Sequence, residues 1–187
     1  MELMRVVALL AAALALTGCG GSGWRTWHGR GVSVRIPRSW HATGARLTPV
    51  TWPVQFLAVA SYPLPGSDRG ADGCEPRAAV DRLPADGAFI FGWEYTGFPW
   101  STKRKSQQAD FPLRPARFRL LHLGRYECLD RSYQLRFRAA GRYFQVHVLL
   151  GRHASAKTRA LALRVLDSLV VRRRRYVRSS RSAAQPS

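Results

Sequence analysis

Few residues of this 187-residue chain have a type and spacing suited to chemistry. Histidine stands at 28, 41, 122, 147 and 153, with no HxxxH, HxH or CxxC-type spacing, so a metal site would have to be assembled wholly by the fold. His147 alternates with Phe144, Val146 and Val148 and falls on the opposite side of their strand, which predicts a solvated or hydrogen-bonded ring rather than a ligand. Acidic groups are scarce, and Glu94 is the unusual one, a carboxylate inside the apolar run Phe89–Tyr95. By strict alternation it shares a face with Ile90 and Gly92. Buried there, its pKa would rise and it could act as an acid or base. On an edge strand it would pair with one of the many arginines, which is the expected state. The chain has no GxSxG elbow and no P-loop. No catalytic residue, metal or cofactor is assigned.

The three cysteines call for other chemistry. Residues 1–18 open with Arg5 as the single basic residue and continue as an apolar run from Val6 to Leu16, too short to span a bilayer and suited to a signal peptide. The run ends in Leu16-Thr17-Gly18-Cys19, which resembles the lipobox of bacterial lipoproteins: Leu three positions before the cysteine and small residues between. That resemblance implies cleavage before Cys19 and a thioether to diacylglycerol at its sulfur, a stable anchor once two or more acyl chains such as palmitate are attached. An ordinary signal cut after Ala13-Leu14-Ala15 is the alternative, but it falls inside the apolar run. With Cys19 acylated, Cys74 and Cys128 remain as an even pair in a compartment that permits disulfides. A bridge between them is favoured over two unpaired buried thiols, and by loop closure it would contribute on the order of 4 kcal/mol.

Charge is the next signal. The formal net charge is +19, with lysine only at 103, 105 and 157, so arginine carries nearly all of it. The abundance of Ala, Gly and Arg suggests a GC-rich genome, which leaves compositional drift open beside function as a source of the excess. On an anchored protein such charge draws the domain toward anionic lipid head groups or wall polymer. Candidate contacts are Trp100, Lys103, Arg104 and Lys105 in a polar loop from Thr96 to Pro112, and Arg172, Arg173, Arg174 and Arg175 in the tail. Aromatic pairs also stand at Trp24 and Trp27 and at Trp93 and Tyr95. Charge with aromatics would suit nucleic acid as well, but an export signal argues against that partner.

The elements that must position these residues read as follows. Val32–Ile36 alternates as a half-buried strand ended by Pro37, with Trp40 as a core anchor. Val54–Tyr62 reads as a strand between Pro53 and Pro63. A helix begins at Glu75-Pro76 and runs through Ala78, Val80 and Leu83 to Pro84. Strands follow over Ala88–Tyr95, Arg117–Leu123 and Tyr126–Arg138. A hairpin loop at Ala139-Ala140-Gly141 returns the chain along Tyr143–Leu150. Ser155 caps a last helix presenting Ala162, Val165, Leu166 and Leu169 on one face. The organisation is a leader over 1–18, a lipidated cysteine and flexible tether over 19–30, one α+β domain over 31–171, and a disordered basic tail over 172–187. The domain is expected as an antiparallel sheet with helices packed on it.

VSVRIPRSW, residues 32–40, resembles the opening strand and Pro-x-x-Trp of lipoproteins with a PsbP/Mog1-like fold, carried by actinobacteria. The hairpin and helix from Tyr133 to Leu169 are arranged similarly. The resemblance implies an antiparallel sheet with helices on its faces and no enzymatic activity. The expected role is a non-catalytic binding or accessory module, lipid-anchored at the extracytoplasmic face of the cell membrane. Its expected partners are the membrane itself and anionic lipid or wall polymer. A hydrolase of an exported substrate using Glu94 is the alternative.

Overall fold

The computed structural model describes residues 23–67, 73–96, 122–126 and 129–172. The described residues begin with a hairpin, β1 (Trp24–Gly29) and β2 (Val32–Pro37), paired in register from Trp24 opposite Pro37 to Gly29 opposite Val32. Val32, Val34 and Ile36 point into the core, as their alternation predicts. β1 corrects the expected tether over 19–30: from Trp24 onward the chain is a strand of the domain. Its mixed sequence WRTWHG, following a Gly/Ser run, lacks a clean alternation to announce it.

A two-residue strand β3 (His41–Ala42) leads to β4 (Val54–Ala60), a short helix α1 (Arg77–Val80) and β5 (Ala88–Tyr95). Then come β6 (His122–Tyr126), β7 (Leu129–Ala139), β8 (Arg142–Leu150), helix α2 (Ala156–Asp167) and β9 (Val170–Val171). The strands form two antiparallel sheets, a small one in the order β1-β2-β9 and a large one in the order β3-β4-β5-β8-β7-β6. The fold is α+β, with helices packed on sheet. Helix α1 is shorter than its sequence pattern suggests, because Pro76 stands at its N-cap without a side-chain cap and Pro84 follows closely. Helix α2 starts where expected, with the Ser155 hydroxyl accepting from the Thr158 amide at 3.1 Å.

Both faces of the large sheet are buried, which explains why β4 and β5 read as nearly continuous apolar runs. On one face Phe56, Leu57, Val59, Ile90, Phe137, Phe144 and Val146 meet β2 and the apolar side of α2. On the other, Ala58, Ala60, Phe89, Phe91, Trp93 and Leu149 meet Leu47, Tyr62 and Ala79. A bulge between Gln55 and Leu57 turns both Phe56 and Leu57 to the first face. Gln55, itself buried, accepts from the Leu47 amide and donates to the Ala45 carbonyl, both at 2.8 Å, and so pins the loop that covers the second face. At Gly92 a Cβ would stand 2.5 Å from the Phe56 ring, so glycine is what lets that ring lie across β5.

The β7–β8 turn is Ala140-Gly141, both at positive φ (52° and 74°), the handedness a two-residue antiparallel turn needs. Alanine pays a conformational penalty there that asparagine or glycine does not. Replacing Ala140 by Asn is expected to stabilise the protein by about 1 kcal/mol, read as a higher urea midpoint at unchanged slope. A lower midpoint would contradict the turn assignment.

Candidate functional site

Glu94 lies on β5, a central strand between β4 and β8, and not on an edge as its pairing with arginine suggested. It is 1% exposed. Arg142, the first residue of β8, reaches it with two bonds: Nε donates to Oε1 at 2.7 Å and Nη2 to Oε2 at 2.6 Å. The same guanidinium donates to the carbonyls of Arg30 (3.0 Å), Gly31 (3.3 Å) and Arg172 (3.4 Å), and it lies over the Phe144 ring. The arginine partner is thus as expected, but both groups are buried and their task is joining the sheets. With both oxygens accepting from the guanidinium, Glu94 is poorly placed to pass a proton to a substrate.

His147 is 1% exposed on the second face of the large sheet, hydrogen-bonded as expected and not solvated. Its neighbours form a directed chain. The Tyr95 hydroxyl donates to Gln145 Oε1 at 3.1 Å, so the Gln145 nitrogen is the donor to His147 Nε2 at 2.7 Å. Nδ1–H then donates to Ser132 Oγ at 2.8 Å, and the Ser132 hydroxyl donates to the Leu129 carbonyl at 3.2 Å. Ser132 and His147 stand at the distance of a nucleophile and its base, yet the serine proton points away from the ring. Burial, reinforced by the Arg136 guanidinium, pushes the His147 pKa down to about 4, which makes the ring a weak base at neutral pH. The arrangement is a structural polar network. Tyr62 is similar: its hydroxyl donates to the Ala79 carbonyl at 2.5 Å, and burial raises its pKa well above the usual value.

The expected binding residues are only partly within view. Cys19, Cys128, Trp100, Lys103, Arg104, Lys105, Arg173, Arg174 and Arg175 lie outside the described residues. Cys74 is half-buried against the second core and disulfide-bonded. Arg172, expected in a disordered tail, is held by its backbone: its amide donates to the Gly31 carbonyl at 2.9 Å, while its side chain is exposed. Among the described residues no group of three or more His, Cys, Asp or Glu could hold a metal, and no helix is long and apolar enough to cross a membrane.

A surface cluster escaped the sequence reading. Trp24 on β1 lies between two arginines, with Arg164 of α2 at 5.0 Å and Arg35 of β2 at 6.0 Å from its ring. Together with Ser168 these three line an open cleft of about 90 Å³. The Ser168 hydroxyl fixes this geometry, accepting from the Arg35 amide at 2.8 Å and donating its one proton to the Val165 carbonyl at 2.7 Å, with the Arg35 carbonyl 3.1 Å away as the alternative acceptor. Arg35 occupies an outward position in VSVRI, a signal visible in the alternation, but its juxtaposition with Arg164 needed the fold. Comparison with protein-family profiles, with curated proteins and with solved structures finds no match.

Two outcomes follow for stability. Arg142→Met strands a buried carboxylate and is expected to cost about 3–5 kcal/mol, much of it recovered when Glu94→Leu is added; urea unfolding of the single and double variants reads this, and a near-neutral single variant would contradict it. His147 has a folded-state pKa below its unfolded value of 6.5, so the unfolded chain takes up the proton first. Its contribution is fully present above pH 6.5 and is lost as the pH falls toward 4, by up to about 3 kcal/mol. Unfolding free energies at pH 7, 6 and 5 should decline more steeply in the wild type than in His147→Gln. Equal slopes would refute the assignment.

Proposed function

We propose that the chain is an exported lipoprotein, acylated at Cys19, whose domain is a non-catalytic binding or accessory module at the extracytoplasmic face of the cell membrane. The observation that carries this reading is the position of Cys19 between two unlike segments. Before it stands a leader with one basic residue and an apolar run; after it, five residues later, the folded strand β1 begins. Processing there removes the leader whole and leaves every described element intact. The absence of catalysis is supported by the two groups best suited to it, Glu94 and His147, being buried and hydrogen-bonded within the fold. A bridge between Cys74 and Cys128, and kinship with PsbP/Mog1-like lipoproteins through VSVRIPRSW, belong to the same reading. Its partners are the bilayer through the lipid, and anionic polymer or lipid through the arginines; nucleic acid is not among them.

Cys19→Ser tests the anchor. Native protein should enter the detergent phase on cloud-point partition, with fatty acid on the peptide beginning at residue 19. The variant should keep its leader uncleaved at that point and carry no acyl mass. An unmodified thiol at position 19 in native material would overturn the proposal.

A further inference from the structure

The anchor reading, taken together with the start of β1, constrains which end of the domain meets the bilayer. Four residue steps separate Cys19 from Gly23, whose carbonyl already accepts from the Arg38 amide at 2.7 Å. Fully extended, four steps reach roughly 14 Å. A folded unit of residues 23–172 has a diameter of roughly 30 Å or more, so the tether is too short to let another end of the domain rotate onto the membrane.

The end held there is cationic. Arg35 and Arg164 flank Trp24, the Arg38 side chain lies against Gly23, and all three arginines are exposed. None of them forms an ion pair among the described residues, whose salt bridges join Arg77 to Glu75 and Arg142 to Glu94. The half-buried indole of Trp24 has the amphipathic character that settles at the headgroup level of a bilayer. Between the two arginines the open cleft offers guanidinium donors to a group of opposite charge.

We infer that this rim is a phospholipid-binding surface, in which Arg35, Arg38 and Arg164 engage the phosphates of anionic headgroups while Trp24 lies at the interface. The inference rests on acylation at Cys19, which brings the rim to the membrane. It specifies a docked orientation instead of a domain swinging freely on its anchor. Phospholipid is favoured over wall polymer because the reach of the tether places the rim at headgroup height, whereas polymer would be met by the opposite, outward end.

The test uses the full acylated protein reconstituted into vesicles of phosphatidylcholine alone or mixed with phosphatidylglycerol, each doped with a headgroup-nitroxide lipid. Emission of Trp24 is the wild-type signal minus that of Trp24→Phe. In the anionic vesicles it should be strongly quenched, and in phosphatidylcholine only weakly. Each arginine near an anionic surface is worth about fivefold in the docking equilibrium, so Arg35→Gln/Arg38→Gln/Arg164→Gln should lower the ratio of docked to undocked protein on the order of a hundredfold, bringing the quenching close to the neutral-vesicle level. The triple variant alters only exposed side chains, and an unchanged melting temperature verifies its fold. Protein that floats with the vesicles while Trp24 stays unquenched overturns the docking surface and leaves the anchor reading intact. Protein without acyl mass that fails to float overturns the anchor reading first. Release of the quenching by soluble polyglycerol phosphate, in amounts that leave vesicle charge and ionic strength unchanged, would assign the rim to wall polymer and refute the lipid proposal.

Discussion

The structure depends on one buried side chain, the guanidinium of Arg142. It answers the carboxylate of Glu94 with two hydrogen bonds and then reaches the carbonyls of Arg30, Gly31 and Arg172. Those carbonyls belong to the β1–β2 turn and to the residue after β9, so a single group ties the large sheet to both closing ends of the small one. It also enforces register. Glu94 pairs with Phe144 across β5 and β8, and Arg142 lies two residues earlier on the same face. A slip by one residue would turn Arg142 to the other face and leave the carboxylate buried without its partner.

Apolar packing on both sides of the large sheet shapes everything around that lock. The first face is closed by β2 and α2, and the second by the Leu47 loop and α1. Hydrogen bonds replace water for a linked set of polar groups there, along the chain from Tyr95 through Gln145, His147 and Ser132 to the Leu129 carbonyl. Such a network specifies how β5, β7 and β8 stack against one another while leaving its serine and histidine unsuited to nucleophilic attack.

How much of this was legible in the sequence follows from the range of each signal. β4 and β5 are bounded by prolines or turns and carry strong apolar runs, so their positions were readable to within a residue or two. The β7–β8 turn and the Ser155 cap were likewise local chemistry. Glu94 was placed on the correct face, but alternation cannot distinguish a central strand from an edge when both faces are apolar. His147 was assigned its side of the strand, yet alternation alone does not tell a covered face from a solvated one, and the ring is 1% exposed. Arg142 gave no signal at all: in Ala140-Gly141-Arg142 it reads as a solvated hairpin arginine, and its partner is 48 positions away. Trp24 was hidden by the glycine-rich run before it.

The small sheet joins the two ends of the described residues. β1 and β2 are the first of them, while β9, which completes the sheet, is among the last, with Val171 opposite Val32 and Val170 opposite Ser33. Until those final residues are free to dock, β2 keeps an open edge and the Arg142 guanidinium lacks one of its carbonyl acceptors. Contacts of such long separation form late in folding. If the chain is exported amino end first, as proposed, the small sheet cannot close partway through: β2 waits for β9 to emerge on the far side.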